Sequence, residues 1–361
     1  MPSQRKSFYA ALKARRHQFA PRELVRQFRL VSRERVDGIA RQLAEYISVH
    51  LPAAFDKREA LTDYRTNPYV LMTTTSVMDL ADPTRFADFL FNTKLYMALE
   101  TSFGKSLEKI FLSQYPINSR RKWGPPPEKR AEFALLEGLS REQRAARRTA
   151  SVWREIDASV VLRRRRYLVT VKSGPSTIND TQAQAMTNAI IDYHPRWAER
   201  SRALSSGLRG VDVVLGLTYG TDRTTNNKEN QILAKLLEHG FAEEDRAKHP
   251  GVLTDSATRN VRIYRKIGRD FWAFVGNPAN PRAASFVFLE VLLALAKALS
   301  AGLKTAGMEE RINQRIATLS SALSQLHFPR DSLPEWIGAD FSEEQLFWFA
   351  TAMTAFYDEG I

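Results

Sequence analysis

The sequence contains no cysteine, which excludes disulfide bonds, thiolate zinc sites and cysteine nucleophiles. Its six histidines show no spacing typical of metal ligands, so histidine-based metal chemistry has no support. The tripeptide Gly104-Lys-Ser106 resembles the end of a phosphate-binding loop, but the first glycine of that pattern would fall at Leu99. The chain therefore lacks three common kinds of functional site.

The sequence also lacks a long uninterrupted apolar run. Its longest run, from Ala283 to Leu303, is broken by Glu290 and Lys297, which favours a buried helix over a membrane span. The N-terminal residues lack the apolar segment of a secretory signal. We therefore expect a soluble, cytoplasmic protein with no membrane partner.

Positive charge is what the sequence has in excess. It contains 53 Lys and Arg residues against 40 Asp and Glu, a formal net charge of +13. Residues 1–41 carry eleven basic and three acidic side chains, and residues 120–166 carry fourteen and six. Such a field attracts polyanions. Nucleic acid is the first candidate partner and an anionic membrane surface the second, although many basic proteins bind neither.

Turn signals and hydrophobic periodicity divide the chain into three regions. Residues 1–84 are a basic helical region, and residues 276–361 are almost entirely helical. Residues 85–275 show the succession helix, hairpin, helix, strand and helix. That succession predicts an α/β core between two helical extensions.

Two elements of this core have clear boundaries. Residues 180–193 predict a helix that is capped by Asn179 or Asp180 and ends at His194-Pro195. Residues 211–219, VDVVLGLTY, are a nearly continuous apolar run. Such a run is typical of a strand that is covered on both faces.

Residues 153–180 carry the most informative pattern, two β-patterned runs on either side of a basic turn. We expect the hairpin to be centred between Arg164 and Arg165. Asp157 would then lie directly opposite Lys172, with Cβ atoms roughly 5 Å apart. The strand breaks directly after Lys172, which favours a site over an ordinary half-exposed hairpin. One face would be apolar and suited to a core, and the other would carry Glu155, Asp157, Ser159, Thr170 and Lys172.

A carboxylate and an amine on one rigid face suit a metal-dependent phosphodiesterase. A phosphodiester is an anion, and Mg²⁺ neutralises its charge as a Lewis acid and lowers the pKa of a bound water. Mg²⁺ binds one or two carboxylates together with waters and phosphate oxygens. Asp157 is therefore the expected metal ligand. Lys172 would orient or deprotonate the attacking water, or stabilise the charge of the phosphorane.

The same segment resembles the PD-(D/E)xK nucleases, and among them the type II restriction endonucleases with an xKSGP turn. Asp157, the strand Val169-Thr-Val-Lys172 and the turn Ser173-Gly-Pro175 carry the resemblance. It extends over roughly residues 65–275, through Asn67-Pro-Tyr69, Glu100 to Glu108, Leu215 to Gly220 and Ile267 to Trp272. The resemblance implies a restriction-endonuclease-like core, with a central mixed β-sheet flanked by helices. It also implies Mg²⁺-dependent cleavage of double-stranded DNA at a short specific site, with 5′-phosphate products.

The sequence departs from the family pattern at one position. The family has an acidic metal ligand two residues before the lysine, where this chain has Thr170. The second acid must then come from Glu155, two residues before Asp157, or from Glu108, on a helix where family members often carry a further glutamate. Thr170 would then hold a water, and the adjacent Val171 is included among the candidate metal ligands. Without either glutamate, the protein would bind DNA without cutting it.

Candidates for DNA contacts lie around this segment. The arginine run of the hairpin would contact phosphates, although such a run is also typical of a solvated turn. A polar loop after the core strand has residue types that suit base edges. The candidates are Arg163, Arg164, Arg165, Arg166, Ser173, Asn179, Asn227 and Lys228.

Recognition of a palindromic site would require a two-fold homodimer, and the amphipathic segment Ser342–Phe349 is a candidate interface. A host protected from such an enzyme also needs a separate DNA methyltransferase. Two other interpretations stay open. One is a nuclease of the same superfamily with little sequence preference, as in repair or phage defence. The other is a DNA-binding module whose metal site has decayed at Thr170.

Overall fold

The computed structural model describes most of the chain. The described residues are 8, 10, 21–56, 64, 67–80, 82–106, 114–115, 122–174, 178–221, 228–245, 249, 251–257, 260–305, 308–326 and 334–353. Those within residues 1–40 and 104–295 form one compact unit, and those within residues 41–103 and 296–361 form another. The three consecutive regions expected from sequence remain a prediction.

The helices and strands are numbered here in chain order. The helices before the sheet are α1 (Pro21–Phe28), α2 (Arg33–Asp56), α3 (Pro68–Met78), α4 (Pro83–Ser106), α5 (Pro127–Ala134) and α6 (Arg141–Ala150). The sheet region comprises β1 (Ala158–Leu162), β2 (Arg165–Lys172), α7 (Asp180–Leu204), β3 (Gly210–Leu217), α8 (Lys228–Leu236), β4 (Phe241–Glu243), β5 (Leu253–Asp255) and β6 (Val261–Ile267). It is followed by α9 (Arg269–Gly276), α10 (Val287–Thr305), α11 (Met308–Ser324), α12 (Glu335–Asp340) and α13 (Glu343–Met353).

The strands of the first unit form a six-stranded sheet in the order β1-β2-β3-β6-β5-β4, as far as the chain is described. β1 runs antiparallel to β2, whereas β2, β3 and β6 are parallel. β5 and β4 add an antiparallel edge. The predicted α/β core with a central mixed sheet flanked by helices is therefore confirmed.

Helices cover both faces of this sheet. Every residue of β3 is buried, as the apolar run at residues 211–219 predicts. On one face, Leu168 of β2 is fully buried in a cluster with Ile156 and side chains of α7 and α8. On the other face, the rings of Tyr167 and Phe274 lie 5.6 Å apart. The predicted hairpin with one polar face is therefore wrong, because Leu168 shares its face with Thr170 and Lys172.

Helix α7 connects β2 to β3. Asn179 is its N-cap and accepts a hydrogen bond from the Gln182 N–H, so one of the two predicted caps is confirmed. The predicted end at His194-Pro195 is wrong, since the helix continues to Leu204. A proline inside a helix removes the N–H that would bond the carbonyl four residues earlier. Here the His194 Nδ1 lies 3.0 Å from the oxygen of that carbonyl, Ile191, and as an N–H it replaces the missing donor.

In the second unit, helices before and after the sheet region of the sequence pack together. The rings of Phe86 and Phe347 meet edge to face at 5.8 Å, and Trp348 Nε1 donates to the Leu80 oxygen at 3.3 Å. The predicted dimer segment Ser342–Phe349 thus contributes two aromatic side chains to the packing of its own unit. Among the described residues, no single helix is long and apolar enough to cross a membrane, although the bent pair Arg269–Gly276 and Pro281–Ala298 meets the criteria jointly.

Candidate active site

The hairpin of β1 and β2 turns through two arginines. Arg163 and Arg164 have φ values of 47° and 64°. Positive φ at both central residues is the geometry of a type I′ turn, which matches the twist of hairpin strands. Ala158 pairs with Val169 in the resulting register. The hairpin is therefore centred between Arg163 and Arg164, one residue before the predicted centre.

This register changes the neighbour of Asp157. The Asp157 N–H donates to the Val169 oxygen at 2.9 Å, and Asp157 Oδ2 accepts from the Val171 N–H at 2.7 Å. Its backbone and carboxylate therefore bracket Thr170, and the predicted direct opposition to Lys172 is wrong. The carboxylate still lies beside β2 between Thr170 and Lys172, because Val171 separates those two residues. The Val171 N–H fixes the direction in which the carboxylate points.

The parallel strands bring further side chains to the same edge. Lys172 pairs with Leu217 of β3, and Leu217 pairs with Ile267 of β6, at the carboxyl ends of the three strands. In the preceding row, Thr170 pairs with Leu215 and Leu215 with Arg265. Thr170, Lys172 and Arg265 therefore project from one face near this edge. Ligands of open α/β sheets bind outside the carboxyl ends of the strands.

A glutamate that the sequence analysis missed lies at this edge. Glu229, in the first turn of α8, is 1% exposed. Burial raises the pKa of Glu229 to about 7, although the nearby charges of Arg265 and Lys172 act to lower it. An acidic residue in the first turn of a helix is common. The sequence therefore contains no signal that distinguishes Glu229 from an ordinary helix-start residue.

The first turns of α7 and α8 lie side by side. Lys228, the first residue of α8, places its Nζ 2.6 Å from Oδ1 of Asp180, the first residue of α7. Lys228, a predicted DNA contact, thus has a carboxylate partner within the protein. Asn179, another predicted contact, uses its side-chain oxygen to cap α7 at 2.8 Å. Asn227 lies outside the described residues.

The two glutamates predicted to replace the acid at Thr170 have different outcomes. Glu155 Oε1 lies 3.1 Å from the Nε of its neighbour Arg154, so its carboxylate is paired. Glu108 lies outside the described residues. Four residues before it, Gly104 lies close to Ser173, because a Cβ on Gly104 would lie 3.6 Å from Ser173 Oγ. The role of either glutamate stays a prediction.

Two of the four hairpin arginines are occupied by internal ion pairs. Arg165 donates from Nε to Asp212 Oδ1 at 2.8 Å. Arg166 is fully buried, and its Nη1 and Nη2 donate to the two oxygens of Glu128 at 2.7 and 2.6 Å. The guanidinium of Arg166 also lies 5.0 Å from the centre of the Trp153 ring. The prediction that Arg166 contacts DNA phosphates is therefore wrong, because its side chain is fully buried, whereas a phosphate contact by Arg165 stays a prediction.

Arg163 and Arg164 are exposed at the turn itself. The sequence predicted that they lie beside Asp157 and Lys172, and this prediction is wrong. β2 runs from Arg165 to Lys172, which separates the two ends of the strand by about 23 Å at 3.3 Å per residue. The turn and the candidate site are therefore at opposite ends of the hairpin.

The carboxylates at the sheet edge fit a magnesium ion by their type. Mg²⁺ binds through one or two carboxylates, waters and substrate phosphate oxygens, without a complete cage of protein ligands. Asp157 and Glu229 could provide these carboxylates. Within the described ranges, no group of three or more His, Cys, Asp or Glu side chains is arranged to hold a metal ion.

The sequence matches no protein-family model, and no curated protein matches it at a significant level.

Proposed function

We propose that this protein is a Mg²⁺-dependent endonuclease of the type II restriction class, which hydrolyses double-stranded DNA at a short specific site. One observation carries the proposal. The Asp157 carboxylate is held by the Val171 N–H, one residue from Lys172, at the carboxyl edge of the parallel strands. The mixed sheet flanked by helices agrees with the restriction-endonuclease-like core that the sequence resemblance implies.

The side chains have distinct roles in this proposal. Asp157 would hold Mg²⁺, with its orientation set by the hydrogen bond from Val171. When bound, Mg²⁺ supplies Lewis-acid chemistry at the scissile phosphate. Lys172 orients the attacking water and offsets the negative charge that grows on the phosphorus oxygens. Arg265, on the same face as Lys172, adds positive charge toward the phosphate.

Glu229 is a further carboxyl group at this edge, where Thr170 takes the place of the family's acidic ligand. A hydroxyl is a poor substitute for a carboxylate toward Mg²⁺, which prefers charged oxygen ligands. Glu229 is buried at the same sheet edge, and its carboxyl senses the charges of Lys172 and Arg265. It therefore either contributes to the metal site or, when ionised, offsets the positive charge of Lys172 and Arg265. Both roles make Glu229 a part of the machinery.

Further features belong to the same proposal. The products would carry 5′-phosphate ends, and a two-fold dimer would read a palindromic site. Exposed side chains such as Phe349, which is 43% exposed in the segment Ser342–Phe349, would contribute to the dimer interface. The protein would act in the cytoplasm alongside a separate DNA methyltransferase that protects the host.

Incubation of the purified protein with plasmid DNA and Mg²⁺ tests the proposal. Discrete fragments are the expected result, and sequencing their ends would give the site and the cut position. A smear of fragments would indicate a nuclease with little sequence preference. Lys172→Ala should abolish cleavage while Lys122→Ala, at an exposed lysine, leaves it unchanged. Equal activity of both variants would contradict the role of Lys172.

The position of Thr170 favours a second candidate, a protein that binds DNA without cutting it. Asp157 brackets Thr170 with two hydrogen bonds, and this threonine occupies the place of the family's acidic ligand. Tight, salt-sensitive DNA binding without any nicking under Mg²⁺, Mn²⁺ or Ca²⁺ would select this candidate. Such a result would overturn the catalytic proposal.

A further inference from the structure

Helix α6 is separated from Asp157 by six residues and has no side that faces a core. None of its side chains is buried, and all ten residues are exposed. Its sequence REQRAARRTA contains four arginines and one glutamate. A helix without buried residues gains little from apolar packing, so its exposed face is available to solvent or to a partner.

Local interactions account for the formation of this helix. Ser140 and Gln143 form a capping box, in which each side chain accepts a hydrogen bond from the backbone N–H of the other. Arg147 and Arg148 stand in the last turn, where positive charge favours the negative end of the helix dipole. Because each residue of an α-helix advances it by about 1.5 Å, the arginines of α6 stand at regular positions along its axis.

Three of these arginines follow one another on one side of the helix. Arg141, Arg144 and Arg147 are three residues apart, so neighbouring members share a helix face. Within the described part of the chain, their guanidinium groups make no ion pair or hydrogen bond. Arg165 and Arg166, in contrast, are held by Asp212 and Glu128. The positive charge of α6 is thus directed outward.

Helix α6 is also tied to the segment that leads to the candidate site. Arg148 lies over the Phe133 ring of α5 at 5.5 Å, and Lys129 of α5 lies 5.7 Å from the same ring. Lys129 Nζ donates to the oxygens of Arg154 and Ile156 at 3.2 and 2.6 Å. Ile156 directly precedes Asp157. These contacts connect α6, through α5, to the residue next to Asp157.

We propose that α6 is a phosphate-binding helix for duplex DNA, in which Arg141, Arg144 and Arg147 contact the backbone of DNA bound at the Asp157–Lys172 edge. The inference rests on the proposed function. Guanidinium groups match the geometry of phosphate and bind it in a bidentate manner. An anionic membrane is a poorer partner, because a surface-bound helix needs large apolar side chains and α6 has only alanines.

The test compares two triple variants that remove the same charge. One is Arg141→Gln, Arg144→Gln and Arg147→Gln, and glutamine preserves helix propensity. The control is Arg202→Gln, Arg209→Gln and Arg282→Gln, at three exposed arginines outside α6. Binding of a labelled duplex is measured in EDTA by fluorescence anisotropy over a series of KCl concentrations. Circular dichroism and thermal unfolding establish that both variants fold.

The α6 variant should bind DNA more weakly, and its plot of log K against log salt should become shallower by about 0.9 for each lost phosphate contact. The control should retain the wild-type slope. Equal slopes for the wild type and the α6 variant would overturn the inference, as would equal losses in both variants. Stronger loss of binding to phosphatidylserine vesicles than to DNA would also overturn it.

The outcomes also separate this inference from the proposed function. If the wild-type protein cuts DNA and the α6 variant binds DNA normally, the proposed function stays intact and only the inference fails. If the wild-type protein neither binds nor cuts DNA, both fail.

Discussion

The Val171 N–H donates a hydrogen bond of 2.7 Å to the Asp157 carboxylate, and so places that carboxylate beside β2 between Thr170 and Lys172. The contact joins Asp157, which directly precedes β1, to Val171, the second-to-last residue of β2. It orients an acidic group next to an amine at the carboxyl ends of parallel strands. The proposed metal chemistry depends on this one relationship.

Replacement of Asp157 by asparagine should reduce DNA cleavage by more than about 100-fold, because loss of even an outer partner of a metal ligand costs about 10–100-fold. The amide can keep a hydrogen bond to Val171 but has no charge. Plasmid cleavage at several Mg²⁺ concentrations measures the effect. Asp192→Asn, at an exposed aspartate on α7, is the matched control and should cut normally. An Asp157→Asn protein of wild-type activity would remove this residue from the site.

Replacement of Thr170 by aspartate should lower the Mg²⁺ concentration needed for half-maximal cleavage. The new carboxylate would lie next to Asp157 and would give the ion a second charged ligand. Thr170→Val keeps the size of the side chain without an acid and should not improve the response to Mg²⁺. Thr170 is 3% exposed, so thermal unfolding of both variants must accompany the titration. An unchanged Mg²⁺ dependence in Thr170→Asp would show that the threonine is not at the ion.

Glu229 should make the stability of the protein depend on pH. Its pKa rises from the ordinary value of 4.5 to about 7, so the folded state binds the proton more tightly than the unfolded state. The resulting stabilisation is complete below pH 4.5 and is lost as the pH rises through 7. Relative to the wild type, Glu229→Gln should therefore gain about 3 kcal/mol of unfolding free energy between pH 4 and pH 8.

Urea denaturation at a series of pH values measures this difference. Glu137→Gln, at an exposed glutamate, should parallel the wild type across the range. If the Glu229→Gln curve also runs parallel to the wild type, the carboxyl of Glu229 does not titrate differently in the folded state. Cleavage assays on the same variant then report separately on its part in the site.

Replacement of Arg166 by alanine should lower the free energy of unfolding by about 3–5 kcal/mol, since removal of one partner of a buried ion pair leaves the other uncompensated. Arg166 is fully buried and binds both oxygens of Glu128. Arg163→Ala, at the exposed turn, should change stability by less than about 0.5 kcal/mol. Chemical denaturation measures both. A larger effect of Arg166→Ala on DNA affinity than on stability would restore the phosphate-contact interpretation.

Local patterns predicted the elements that depend on near neighbours. The cap at Asn179 follows from one side chain and the N–H three residues later, and the burial of β3 follows from a continuous apolar run. The register of the hairpin could not be predicted from such local patterns. A type I′ turn usually carries asparagine and glycine, because they tolerate positive φ, and Arg163-Arg164 has no such signal. The predicted centre was therefore one residue late.

The sequence by itself determined the α/β class, through its succession of elements. It also determined the proximity of Asp157 to Lys172, because the two residues belong to one hairpin with a short turn. Only the tertiary structure decided which charges are available. Arg166 is paired with Glu128 of a separate helix, and the buried Glu229 of α8 lies within the electrostatic influence of Lys172. Those partners are distant in sequence, and their approach depends on the packing of whole helices on the sheet. Periodicity and spacing carry no record of such contacts.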